Sequence, residues 1–305
     1  MALQESSAIN AGQPPGGCPR NPHDGGKRTA PSDRKSWVVG ADRWQNLRSV
    51  PFPHDVATPC LDGAAYEELQ RSFPEPSRFD AGAAELDHRV LRLSSQRLLQ
   101  EPAFAPCWQR FVEDHTSQAF WTRLVERYGE RMRELHPGLE TAVGRPLDQW
   151  KAVRRGTGER GDVILECQLV INTPVRSAAS SVRAPHVDMA SKLWTGLLYL
   201  RDTRDDTAGG DLVLYDGAPG LRFDGHQAPR DRLVQQATHP YAPNSFIGFV
   251  NSARALHSVS ARSPGPWFRR YVDFVAELER PIFDVPQMGV LQRRWFRLRH
   301  RQESR

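Results

Sequence analysis

From Gly144 onward the chain breaks into short apolar runs, and this limits its possible folds more than any other feature. The runs cover 163–165, 168–171, 193–200, 212–215, 246–250 and 271–275. Turn formers separate them: Asn172-Thr173-Pro174, Asp202 to Gly210, Asp216 to Gly220, and Ser263-Pro264-Gly265-Pro266. Apolar stretches of this length, punctuated in this way, read as strands. Many of them in succession argue for a sandwich or a jelly roll.

The pattern upstream is helical. Ala65, Leu69 and Phe73 recur at helical spacing over 64–73, with Glu67, Glu68 and Arg71 as a polar side and Pro74 as a stop. Two more helices are expected between 103 and 135. Phe104, Trp108, Phe111 and Val112 form one apolar face, and Phe120, Leu124, Tyr128 and Met132 form the next. Such faces pack against a sheet. Residues 1–36 are rich in Gly, Pro, Ser and charge; they lack the apolar surface to offset their ordering entropy and are expected to be disordered. The expected organisation is α+β. A single domain over 37–280 has a helical part (50–140) and a strand-rich core (146–280), and a basic tail follows over 281–305.

Composition narrows the function classes. There are 41 basic and 36 acidic side chains, but only four lysines. The one basic cluster is the run from Arg293 to Arg301, and charged tails are commonly just solvated, so a nucleic-acid partner is not expected. The four cysteines form no CxxC pair, which argues against a zinc ribbon or a disulfide framework. No apolar run approaches membrane-spanning length and no signal peptide is evident, so a cytoplasmic protein without membrane partners is expected.

Chemistry enters at Ala184-Pro185-His186-Val187-Asp188. On an extended strand residues i and i+2 point the same way, so His186 and Asp188 can converge on one ion. A second histidine from a distant strand would complete the two-His-one-carboxylate face of non-haem iron(II). Alone, His-x-Asp is weak, since ten histidines offer ample chance of an accidental match. The other histidines (His54, His88, His115, His136, His226, His239) have no partner at a ligand spacing.

The residues that follow carry more weight. Leu197-Leu198-Tyr199-Leu200 is succeeded by Gly209-Gly210-Asp211-Leu212-Val213, then Pro243-Asn244-Ser245-Phe246, then Leu256-His257-Ser258-Val259, and finally Arg270-Tyr271-Val272. This ordered series, over about 168–276, resembles the iron(II)/2-oxoglutarate-dependent dioxygenases in their prolyl-4-hydroxylase-like branch. The resemblance implies a double-stranded β-helix (jelly roll) core, and His186, Asp188 and His257 as catalytic iron ligands. It also implies 2-oxoglutarate and O2 as co-substrates, with Arg270 on the distal carboxylate and Tyr199 against it, while Asn172 on the preceding strand is within reach of co-substrate or substrate. Gln168 is a further candidate. A planar guanidinium suits that carboxylate in a way that lysine does not. Arg270 shares a strand face with Val272, Phe274 and Ala276, an apolar set expected to face the barrel interior. Arg269, Tyr271 and Asp273 are expected to face solvent or a covering loop.

A retained Asp188 favours hydroxylation over halogenation, with desaturation or cyclisation as variants. The expected substrate is a polar small molecule or a peptidyl side chain. The competing expectation is a cupin-like metal-binding protein or isomerase without oxygenase activity, which would need no guanidinium beyond the third ligand.

Overall fold

The computed structural model describes residues 38–39 and 47–300, with side chains to 298. The expected disordered segment 1–36 lies outside the described residues. The architecture is mixed α+β, as the sequence implied.

Ten strands form two sheets. The larger runs in the order β1 (His54–Ala57), β8 (Ser245–Val250), β5 (Lys192–Tyr199), β10 (Arg269–Glu277), β4 (Val163–Asn172), β2 (Val90–Leu93). All these neighbours are antiparallel, and β3 (Ala152–Arg154) adds a parallel pairing to the first half of β4. The smaller sheet is β7 (Leu233–His239), β6 (Leu212–Gly217), β9 (Leu256–Val259). The segment leading into β5 lies along β9 and the residues after it through isolated bridges, His186 with His257 and Ser180 with Arg262.

One face of the large sheet lies under the helices. They are α1 (Gly63–Arg71), α2 (Ser95–Gln100), α3 (Pro106–His115), α4 (Gln118–Leu135) and the short α5 (Leu139–Val143). Side-chain caps start three of them, since Asp62, Ser94 and Ser117 each accept a backbone N–H from the first turn. Trp108, Phe111, Phe120, Trp121, Leu124 and Tyr128 pack on Cys167, Leu169, Trp194, Leu198, Phe246, Val272 and Phe274 to make the main core. Gly196 and Gly248 are cross-strand partners beneath this layer. A Cβ on Gly196 would lie 2.5 Å from the Trp194 ring, and one on Gly248 2.8 Å from both Trp194 and Phe246.

The opposite face of the large sheet meets the small one. Leu212 and Leu214 of β6 pack on Ile247 and Phe249 of β8, while Val170, Tyr199, Tyr241 and Tyr271 cluster nearby. Residues directly opposite across paired strands share a face. The inner face therefore carries Thr195, Leu197 and Tyr199 of β5, Arg269, Tyr271 and Asp273 of β10, and Gln168, Val170 and Asn172 of β4.

This register reverses the expected strand faces. Arg270, Val272, Phe274 and Ala276 point to the helices, and Arg269, Tyr271 and Asp273 point between the sheets. The cause is that β10 is covered on both sides: its apolar face is taken by the amphipathic helices, so the polar face is the one left to line the inter-sheet space.

The basic tail contains a helix, α6 (Val290–His300). Arg293 and Arg297 both pair with Asp224, at 3.2 and 2.6 Å, and hold α6 against the loop around residues 223–228. Among the described residues no helix is long and apolar enough to cross a membrane.

Candidate metal centre

His186, Asp188 and His257 offer ligand atoms that all lie within 4.8 Å of one another. The two histidine backbones pair reciprocally, His186 N–H to His257 O at 2.9 Å and His257 N–H to His186 O at 3.0 Å. Their rings come within 4.3 Å, centroid to centroid. Asp188 Oδ1 lies 3.8 Å from His186 Nε2. Between the ligands Val187 points the other way, into an apolar cluster with Phe223, Ala228 and Leu256. The alternation read from His-x-Asp thus separates the candidate ligands from their anchor.

Each imidazole is fixed in one tautomer. His186 Nδ1 lies 2.8 Å from the carbonyl of Ala184, and His257 Nδ1 lies 2.9 Å from that of Ala255. A carbonyl only accepts, so both Nδ1 atoms carry the proton and both Nε2 lone pairs are free for a metal. Burial pushes His186 down to about 3 and lowers His257 as well, which keeps both rings neutral at neutral pH.

Asp188 is held from its far oxygen. Oδ2 accepts from Thr195 Oγ1 at 2.8 Å and from Lys192 Nζ at 3.3 Å. Thr195 Oγ1 also accepts from Asn251 Nδ2 at 2.9 Å, so its single proton is left for Asp188. Burial alone would raise the Asp188 carboxyl; Lys192, the two histidines and the Thr195 hydrogen bond outweigh it and hold the group well below the usual range. Lys192 is pulled down by burial but more strongly up by Asp188 and Asp273, and stays cationic.

Further along the same inner face lies a second polar group, built on Arg269. This arginine is 2 % exposed, its Cζ lies within 5.0 Å of the ring centres of Tyr199, Tyr241 and Tyr271, and its Nε donates to Gly210 O at 2.9 Å. Asn172 Oδ1 accepts from Nη1 at 3.4 Å. Three buried polar atoms converge here without a well-formed hydrogen bond: Arg269 Nη2, Asn172 Nδ2 and Tyr199 Oη. The neighbouring buried Arg262 shows the contrast, since Asp205 meets it at 2.7 Å. Arg269 has no carboxylate in contact among the described residues, and an unpaired buried guanidinium is costly.

The sequence-derived candidates therefore divide. His186, Asp188 and His257 are brought together, and Asn172 and Tyr199 both lie against Arg269. Arg270 sits outside, over the Phe73 ring at 5.3 Å and near Asp202 at 3.9 Å. Gln168 lies on the inner face opposite Asp273. Lys192, Thr195 and Asn251 were not expected from the sequence. Thr195 follows Asp188 by seven residues on the strand that the pattern indicated, so alternation from Tyr199 could have found it. Lys192 could not be found that way because a bulge intervenes. A cavity of about 460 Å3 opens on His186, bordered by Arg183, His226 and Arg297. A larger one, about 690 Å3, lies between α6 and residues 220–232 and does not reach the triad.

No protein-family model matches the chain, and no curated protein matches it by sequence. Solved structures do match in shape. The structural neighbours are prolyl-4-hydroxylases and other Fe/2-oxoglutarate-dependent oxygenases. A Pseudomonas putida prolyl-4-hydroxylase is 13% identical with a TM-score of 0.39, over 74% of this chain and 93% of its own. A prolyl 4-hydroxylase from Phytophthora capsici is 16% identical at 0.41, over 82% and 68%. The epimerase SnoN, in complex with Fe3+, alpha ketoglutarate and nogalamycin RO, is 15% identical at 0.42, over 78% and 87%. Likeness at these scores carries no weight for function, which has to come from the site. The donor set itself suits iron: two neutral imidazoles and one carboxylate on one side of a common centre.

Proposed function

We propose that the protein is an iron(II)- and 2-oxoglutarate-dependent dioxygenase with a double-stranded β-helix core, hydroxylating an unactivated C–H of a polar small molecule or peptidyl side chain. One observation carries this: an assembled His-Asp-His face, bonded through Asp188 to Thr195, and a buried guanidinium with no anionic partner among the described residues lie on the same inner face of the large sheet. The first calls for a metal and the second for a carboxylate. A bidentate dicarboxylate that also ligates the metal satisfies both.

Within this proposal His186 and His257 ligate through Nε2 and Asp188 through Oδ1. Arg269 Nη2, Tyr199 Oη and Asn172 Nδ2 donate to the distal carboxylate of 2-oxoglutarate. Tyr199, Tyr241 and Tyr271 stack about the guanidinium, orient it and keep water from it. When bound, iron(II) and 2-oxoglutarate supply the oxygen activation. The chain contributes ligation, a fixed orientation of the co-substrate and a largely dry wall. A cupin-like protein without oxygenase activity would not need the Arg269 cradle.

The test is turnover without added substrate. Purified protein with iron(II), oxygen and 2-oxoglutarate is expected to release succinate slowly, and to stop on chelation and in His257→Ala. Equal succinate release in all three conditions would sink the proposal.

A further inference from the structure

Lys192 occupies an unusual position for a metal site, since its ammonium ion-pairs with the carboxylate of a proposed ligand. The contact is built into the strand. Ala276 pairs with Trp194 and Glu277 with Lys192, so the register slips between them and Leu193 is the extra residue. Leu193 and Trp194 both enter the core beneath the helices. Without the slip Lys192 would share Trp194's side; with it, Lys192 points at Asp188. Bulges commonly re-aim a side chain in this way next to functional sites.

A donor was not needed there to orient Asp188, because Thr195 already holds Oδ2 at the shorter distance. What Lys192 adds is charge. We infer that Lys192 is a built-in counter-cation of the metal site, which neutralises Asp188 before a metal arrives, weakens metal binding, and strengthens capture of the anionic co-substrate. The inference rests on the function proposed above. A metal dication at the triad must compete with the ammonium for Asp188 and then sit beside it. An incoming dicarboxylate instead gains from the same charge. Asp273, the second acid that acts on Lys192, is 8 % exposed and makes no hydrogen bond or ion pair among the described residues. It remains to balance the ammonium once the metal has taken Asp188.

The experiment is anaerobic calorimetric titration of the full chain with Mn(II), then of the Mn(II)-loaded protein with 2-oxoglutarate, for wild type, Lys192→Met and Lys192→Arg. Lys192→Met is expected to bind Mn(II) about tenfold tighter and 2-oxoglutarate about tenfold more weakly, the scale typical of groups that touch a ligand. Lys192→Arg is expected to stay near wild type in both. Metal-free Lys192→Met should also melt lower than wild type, and saturating Mn(II) should close the gap, because the variant leaves the buried Asp188 without a counter-charge only when metal is absent. Weaker or unchanged Mn(II) binding in Lys192→Met overturns the inference and leaves Lys192 as a positioning residue. Unchanged 2-oxoglutarate affinity overturns its anion half. Loss of the effect in Lys192→Gln, should the Met variant misfold, counts the same way. If wild type itself takes up no Mn(II), the oxygenase proposal fails instead.

Discussion

At the scale of single residues, two adjacent arginines are assigned opposite jobs by one strand. Arg269 is buried between the sheets among three tyrosines, and Arg270 lies on the helix side near Asp202. A charge-assisted hydrogen bond is worth roughly 1.5–3 kcal/mol. Arg269→Ala is therefore expected to raise the 2-oxoglutarate Kd at least about tenfold, and Arg270→Ala to change it little; titration of the metal-loaded protein reads both. The pattern of the sequence placed Arg270 inward and Arg269 outward, and the structure has the reverse. An apolar strand face is the interior one only in a sheet covered on one side. Here helices cover that face and the chamber takes the polar one. The candidate ligands were legible because His186 and Asp188 lie on a short extended segment beside His257 on β9, and such alternation needs no tertiary knowledge. Lys192 was not, because a bulge breaks the alternation that would have placed it.

At the scale of elements, the glycine pair and α3 are the sensitive parts. Gly196 and Gly248 leave a hollow filled by the Trp194 and Phe246 rings and the Tyr128 hydroxyl. Gly196→Ala forces the Trp194 ring out of place, and overpacking of this kind costs about 1–3 kcal/mol. The expected result is a lower denaturant midpoint without a change of slope. On α3, His115 accepts from Val39 N–H through Nε2 at 3.0 Å and donates through Nδ1 to Phe111 O at 2.7 Å, so it is neutral in the folded protein. Burial pushes it from 6.5 down to about 3. Its folded value is depressed, so the unfolded chain binds the proton first. The stability it supports is complete above 6.5 and is lost as pH falls from there towards about 3. His115→Gln is expected to flatten the fall in melting temperature over that interval; an unchanged slope would contradict this. Helices α1, α3 and α4 were readable from apolar spacing. Helix α2 was not, since its six residues bury only Ser95 and Leu98, too few to set up a period. Helix α6 was hidden by its charge.

At the scale of the whole molecule, the α+β class followed from where apolar runs stop, but the six runs mark only β4, β5, β6, β8 and β10; β1, β2, β3, β7 and β9 are too short or too polar to stand out, and the assignment of strands to two sheets needed long-range pairing that no local pattern contains. Residues 1–36 lack core-forming side chains, so a chain starting at 37 is expected to keep its melting temperature and Mn(II) affinity. Val187 ties distant parts together. Its amide donates to His226 O at 3.0 Å, Ala228 N–H donates back to Pro185 O at 2.9 Å, and Asp224 in the same loop is gripped by α6. Metal occupancy at His186 and Asp188 and the docking of α6 are therefore expected to be coupled, and such coupling is reciprocal. Mn(II) should slow hydrogen exchange at the amides of Val187, Ala228 and the first turn of α6. Asp224→Asn, 33 residues from the nearest candidate ligand in sequence, should loosen the metal by the same factor by which the metal tightens the helix.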